Sequence, residues 1–301
     1  MYDIIGDVHG YSALLKDLLK KMDYKREGDF FYHPERKVIF VGDFINRGPD
    51  TLETMKIIRT MVERGSAYAV LGNHEINALY YSLKDKKGHH LTKKWSRLHL
   101  DLNSVLSEFV NYPSLWENYI KWLRTLPLFL DLGPIRVVHA CWKNENIKLL
   151  KKEMDEDILK RSFLKQVSKN NSEMSSAFWE TCKGVDFRLP KDLLVYDKNG
   201  LPHRSFRSKW WINPEGKTFR EISFESRFKL PSYTIPKEIV RFREPYAKDN
   251  PIIFFGHYCL QGSSNIISDN LCCLDSCVYR KGNLTAYRWS GEKKLKEKNI
   301  V

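Results

Sequence analysis

The stretch Tyr2-Asp3-Ile4-Ile5-Gly6-Asp7-Val8-His9-Gly10 decides the reading of the fold. A short apolar run enters a glycine-bounded polar turn, and the turn carries a carboxylate and an imidazole two positions apart. The same grammar returns twice. Residues 38–41 lead into Gly42-Asp43-Phe44-Ile45-Asn46-Arg47-Gly48, and residues 67–71 lead into Gly72-Asn73-His74-Glu75. Between these runs lie amphipathic stretches. Ser12 is placed to cap a helix whose apolar stripe is Leu14, Leu15, Leu18, Leu19 and Met22, and Leu52, Met55, Ile58 and Val62 form a second stripe closed by Gly65. Strand, helix, strand is the rhythm of a parallel α/β sheet. Such sheets build ligand sites from the loops at the carboxyl ends of their strands, so the three polar turns should converge on one edge.

Further along, residues 80–127 read as a helical layer rich in aromatics, including Trp116, Tyr119 and Trp122. Ile135–Val138, Ile252–Phe255, residues 271–274 and residues 284–288 read as more strands. A single domain over residues 1–301 is expected, interrupted by a mostly helical cap at residues 144–249. Two of the later strands end in a histidine, His139 and His257. Asp7 and His9, taken as the end of an extended run, would leave the chain on the same side and grip one ion. Carboxylate, imidazole and amide oxygen together suit manganese, iron, zinc or cobalt, with nickel a further occupant, better than a metal bound by soft thiolates.

In order along the chain, GDVHG, GDFINRG, GNHE, VVHA and FGHY resemble the motifs of the calcineurin-like metallophosphoesterase superfamily, D-x-H, G-D-x-x-D-R-G, G-N-H-[ED], H and G-H-x-H. The chain is most similar to the branch of PPP-type phosphatases and symmetrical diadenosine tetraphosphatases. Cys259 stands where the second histidine of the last motif would be, and the tail NLCCLDSCVYRKGNLTAYRW is similar to the end of the tetraphosphatases. The resemblance covers about residues 1–80, 126–142 and 251–289. It implies an α/β fold, a sandwich of β-sheets flanked by helices. It also implies two divalent metal ions, with Asp7 and His9 on the first, Asp43 bridging, and Asn73, His139 and His257 on the second. His74 would then be the general acid and Arg47 a clamp on phosphate oxygens. Arg204 and Arg207, within a basic and aromatic run that ends at Trp210-Trp211, are candidates for a second phosphate contact.

One position departs from the pattern. Asn46 replaces the aspartate that would hold His74, so the charge that favours imidazolium is missing. A polyphosphate leaving group needs less protonation than a serine alkoxide, which favours a nucleotide or dinucleoside polyphosphate over a phosphoprotein. A phosphoprotein phosphatase is the second reading, and a nucleic-acid-binding protein or nuclease the third.

Composition agrees with a soluble enzyme. The chain has 50 Lys and Arg against 37 Asp and Glu, a net charge of +13, with no low-complexity tract. Residues 1–80 hold 11 basic and 12 acidic side chains, so the whole excess lies beyond the motif-bearing segment. A basic surface near bound cations suits a substrate with several phosphates. No membrane-length apolar run is present, and six irregularly spaced cysteines fit a reducing cytosol better than a disulfide framework. The expected location is cytoplasmic; sequence reading leaves the oligomeric state open.

Overall fold

The computed structural model describes the chain except residues 91–96, 155–158, 169–171, 192, 198–199, 225–227, 229, 240–245 and 261–264. In order, its elements are β1 (Tyr2–Ile5), α1 (Ser12–Lys21), β2 (Lys25–Glu27), β3 (Phe30–Tyr32), β4 (Lys37–Phe40), α2 (Thr51–Glu63), β5 (Ala67–Ala69), α3 (Asn73–Ser82), α4 (Arg97–Glu108), α5 (Pro113–Leu123), β6 (Phe129–Asp131), β7 (Ile135–Val138), α6 (Asn144–Glu153), α7 (Arg161–Val167), α8 (Glu173–Lys183), β8 (Val185–Arg188), β9 (Val195–Tyr196), β10 (Pro202–His203), β11 (Ser205–Ser208), α9 (Phe219–Ile222), β12 (Ile252–Phe255), β13 (Ile266–Ser268), β14 (Leu271–Cys273), α10 (Val278–Lys281) and β15 (Ala286–Trp289).

Two sheets carry the core. The first has the order β15-β1-β4-β5, with β1, β4 and β5 parallel, and the second has the order β13-β14-β12-β7-β6, with β7, β12 and β14 parallel. Their facing side chains form one apolar layer: Ile4, Ile39, Val41 and Val70 from the first sheet meet Ile135, Val137, Ile252, Phe254, Cys272 and Leu274 from the second. Strands buried on both faces lose the period-2 alternation, which is why residues 38–41 and β12 read as unbroken apolar runs, while β7 carries Arg136 among its apolar residues. Cys272 turns into this layer, whereas the Cys273 thiol reaches the carbonyl of Tyr258 at 3.0 Å, so neighbouring thiols occupy opposite faces.

Helix ends follow the sequence with one exception. Asp50 caps α2, accepting the Glu53 N–H, and Gly65 turns left-handed just past its end at φ +74°. Ser12 does not cap α1; it lies inside the helix and donates its hydroxyl to Asp50 Oδ2. Across the helical layer, the Glu108 carboxylate of α4 accepts the N–H groups of Thr51 and Leu52, satisfying two donors that helix geometry leaves without partners.

The chain divides into two compact units, one of residues 1–183 with 251–301 and one of residues 184–250. The helical part of the expected cap, α6 to α8, belongs to the first unit. Residues 184–250 are instead built on short antiparallel strands, β8 with β11 and β9 with β10, around Phe187, Phe206, Phe219 and Ile222. The mostly helical reading of residues 144–249 is thus corrected for its second part. Strands of two to four residues are too short to show a period against so many charged neighbours. Trp210 is buried within this region. Arg204 donates to the Lys191 carbonyl, and Arg207 lies on β11 opposite Asp186.

Candidate metal centre

Six loops at the carboxyl ends of parallel strands, three from each sheet, bring their polar residues to one edge of the first unit. The backbone there is unusual. Of the seven described non-glycine residues with positive φ, six are His9, Asp43, Asn46, Arg47, His257 and Cys277; Asp23 is the seventh. Such conformations cost on the order of 1–3 kcal/mol each and persist where surrounding contacts impose them. The left-handed turn at His9 also revises the extended-chain reading of Asp7 and His9, because the two side chains leave the loop from different backbone geometries.

Asp43 is the centre. Its Oδ2 lies 3.3 Å from His139 Nε2, 3.8 Å from His74 Nε2 and 4.0 Å from His9 Nε2. Two triads share it: His9, Asp43 and His74, and Asp43, His139 and His257, each with ligand atoms within 4.8 Å of one another. Asn73 Oδ1 lies 3.2 Å from His139 Nε2. Asp7 belongs to neither triad, yet it adjoins the second, accepting the His257 N–H at 3.0 Å. Gly256, just before that histidine, has no room for a side chain, since a Cβ there would collide with the Asp7 carboxylate.

The rings are oriented from behind. His139 Nδ1 faces the Val41 carbonyl at 2.8 Å and His9 Nδ1 faces the Ile45 carbonyl at 3.3 Å, so both present Nε2 toward Asp43. Metal-ligating imidazoles are commonly held in this way. Together with buried carboxylate and amide oxygens, they form a donor set that fits divalent transition ions.

Electrostatics point the same way. Burial works against ionisation of Asp43, but the surrounding histidines, His139 foremost, outweigh it and hold the carboxyl well below the usual carboxylate range. Burial, with Asp275 and Asp43 nearby, pushes Asp7 well above that range. Burial also lowers His9 well below the ordinary imidazole value. It opposes protonation of His139 too, yet the Asp43 carboxylate prevails and raises that ring to about 10. Close carboxylates sunk in an apolar shell repel one another, and a cation among them relieves that repulsion.

Several residues escaped the sequence reading. Glu75 is fully buried, and its carboxylate accepts the N–H groups of Asp43, Phe44, Ile45 and Gly72 at 2.8–3.2 Å, tying the second and third loops together. Burial raises it to about 7. Asp275 follows β14 just as His257 follows β12, and burial raises it to about 6. Its position after an apolar strand was the available signal. Ser104, from the helical layer, donates to Asn46 Oδ1 at 3.3 Å while Asn46 Nδ2 lies 2.8 Å from His74 Nδ1. Cys259 and Cys277 form a disulfide, correcting the picture of a chain whose cysteines merely suit a reducing cytosol. Their separation of 18 residues shows no pairing in sequence; the return of the chain along β14 beside β12 brings their Cα atoms to 5.0 Å. Beyond that bridge, the Tyr279 ring carries the Arg47 guanidinium 4.2 Å from its centroid and meets the His9 ring edge-on at 5.7 Å.

The family model described as calcineurin-like phosphoesterase matches residues 2–287. The chain is 50% identical over 154 residues to the asymmetrical bis(5'-nucleosyl)-tetraphosphatase PrpE of Geobacillus sp. (strain WCH70), covering 48% of this chain and 59% of that protein, so the match spans little more than half of that relative's length. It is 25% identical over 304 residues to the symmetrical bis(5'-nucleosyl)-tetraphosphatase of Wigglesworthia glossinidia brevipalpis, covering 96% of each. Among solved structures, a Saccharomyces cerevisiae protein serine/threonine phosphatase shares the fold at a TM-score of 0.51 and 14% identity, over all of this chain and 78% of that one. Matched from its first strand into its last, the chain belongs to the calcineurin-like phosphoesterase family.

Proposed function

We propose that this chain is a metal-dependent phosphohydrolase whose preferred substrate is a dinucleoside polyphosphate or a related nucleotide. The observation that carries the reading is the pair of donor triads sharing Asp43, the first of them including His74, with Arg47 beside them. The names of the relatives over the full chain support the substrate class.

Asp7, His9, Asp43, Asn73, His139 and His257 are the side chains assigned to two divalent ions, manganese first, with iron, zinc, cobalt or nickel as other occupants. When bound, the ions would supply positive charge against the phosphoryl oxygens and acidify a water for in-line attack. The remaining work belongs to the chain. Arg47 offers a planar two-point grip on phosphate oxygens. His74, as the imidazolium protonated on both ring nitrogens, gives the Nε2 proton, on the Asp43 side, to the departing oxygen and is left as neutral imidazole, while the Asn46 amide beside Nδ1 orients the ring. Asn46 brings no charge to that ring, which suits a leaving group that is already a good one.

The test is a panel of manganese-loaded turnover assays on diadenosine tetraphosphate, mononucleotides, inorganic polyphosphate, a phosphopeptide and a phosphodiester. Asp43→Asn serves as the blank. The expected result is fastest turnover on the dinucleoside tetraphosphate and loss of ~1000-fold or more in Asp43→Asn, since that change removes a charge that both sets of donors share. A faster phosphopeptide would overturn the substrate class. Equal activity in Asp43→Asn would overturn the metal mechanism.

A further inference from the structure

Tyr279 lies outside the five motifs that carry the site residues, within the tail that resembles the end of the tetraphosphatases, and its ring touches two residues of the centre. The Arg47 guanidinium carbon is 4.2 Å from the ring centroid, and the His9 ring meets the same tyrosine edge-on. Arg47 needs such a support. It sits in a left-handed backbone conformation at φ +70°, is exposed, and reaches inward on a long flexible side chain whose Nη1 donates to His9 Nε2 at 3.1 Å. An unsupported arginine of this kind samples many rotamers, and fixing it on phosphate costs entropy at each binding event.

Tyr279 is itself braced. It lies in the single turn of α10, two residues past Cys277, whose left-handed backbone, disulfide to Cys259 and N–H donated to Asp275 fix where that turn begins. Cys259 in turn follows His257 by two residues. A ring placed by three constraints, with its face toward a cation, is a platform rather than a chance neighbour.

We propose that Tyr279 is a positioning residue for Arg47: its π face holds the guanidinium in the orientation from which Arg47 grips the substrate's phosphate, and the Cys259–Cys277 bridge holds the ring. The proposal rests on the function proposed above for Arg47. It assigns Tyr279 no contact with the reacting atoms. What matters is the face of the ring, not its hydroxyl, so phenylalanine should substitute and an aliphatic side chain of similar bulk should not.

The experiment is a double-mutant cycle read in two ways on the manganese-loaded full chain: steady-state kinetics with diadenosine tetraphosphate, and calorimetric binding of inorganic phosphate. Tyr279→Leu is expected to raise KM and to weaken phosphate binding by about three- to tenfold, the range a partly exposed cation–π contact supports, with kcat changed less than KM. Tyr279→Phe should stay within about twofold of the parent, and Tyr279→Leu should add almost nothing in an Arg47→Ala background. The proposal is overturned if Tyr279→Phe behaves like Tyr279→Leu, or if Tyr279→Leu costs the same with and without Arg47. A parent chain that binds phosphate but hydrolyses none of the substrates sinks the proposed activity, and the phosphate cycle still decides the coupling. A parent that binds no phosphate overturns both.

Discussion

The two sheets supply the two halves of one centre, and they hold their halves differently. After β1, β4 and β5 the chemistry comes in contiguous motifs, and one buried carboxylate, Glu75, gathers four backbone N–H groups from the loops carrying Asp43 and His74. After β7, β12 and β14 it comes as single residues, His139, His257 and Asp275, which among the described residues have no side chain clasping their loops as Glu75 does. There the restraint is covalent: the Cys259–Cys277 disulfide ties the loop after β12 to the turn after β14. A site can be made rigid by a local network that the sequence spells out, or by a long-range tie that only the fold creates. The two should fail in different ways when cut.

The largest expected effect comes from cutting the clasp. In Glu75→Gln one oxygen remains an acceptor, but the other becomes an NH2 facing the N–H groups of Asp43 and Gly72. Two buried donors lose their partner, at about 1–3 kcal/mol each, and metal affinity should fall by about 10- to 100-fold as the Asp43 loop relaxes. Urea unfolding and manganese titration measure the two losses. Undiminished affinity would show that Glu75 serves the fold and not the centre.

Cutting the tie should cost stability first. The double variant Cys259→Ser with Cys277→Ser frees a loop of about twenty residues in the unfolded chain, worth about 3 kcal/mol in the loop-entropy account. Manganese affinity should move much less than in Glu75→Gln, because His139 keeps its own anchor on the Val41 carbonyl. If instead the two variants lose affinity equally, the contrast between the halves disappears.

A smaller effect comes from pH, and both halves contribute to it. His139, raised to about 10, binds a proton in the folded chain that the unfolded chain releases near its ordinary value of 6.5. Asp7, also raised, acts in the same direction. Such groups stabilise fully below the unfolded value, and their contribution is lost as pH climbs toward the folded one. His9, which is lowered, is neutral in both states above about 6.5 and adds nothing there. Chelated protein should therefore lose stability between pH 6.5 and 8.5, on the order of 1.4 kcal/mol per unit for His139. Manganese should reverse the sign, since ligation needs His139 unprotonated and Asp7 ionised. Thermal melts at both pH values, with chelator and with manganese, read the result.

The contrast also explains what the sequence could show. Asp43, His74 and Arg47 were legible because each lies in a glycine-bounded turn directly after a strand, where a local pattern carries the geometry. His139 and His257 could be found because each follows a strand rich in apolar residues, Ile135–Val138, interrupted by Arg136 alone, and the unbroken Ile252–Phe255. Glu75 stood within a quoted motif, but nothing local says that its carboxylate turns back onto the Asp43 loop. Cys259, Cys277 and Tyr279 were opaque for a deeper reason, because their partners lie 18 residues away in one case and more than 200 in the other. The β-rich unit at residues 184–250 was missed because its strands are too short to show a period.

The smallest expected effect sits within the motif-bearing half, at Asn46. Its side chain joins Ser104 of the helical layer to His74 Nδ1, and its backbone is left-handed at φ +76°, a conformation that Asp tolerates about as well as Asn. Asn46→Asp should therefore keep the loop while placing a negative charge against the ring. That charge favours imidazolium, so His74 would hold its proton to higher pH. The alkaline limb of the rate profile should move up by about one pH unit, with a few-fold gain on a phosphomonoester whose leaving alkoxide needs the proton. Turnover of a dinucleoside polyphosphate should change by less than about twofold, because its leaving phosphate is stable without full protonation. An equal gain on both substrates would mean that Asn46 sets the rate of every reaction here, and the link between this amide and the choice of leaving group would be lost.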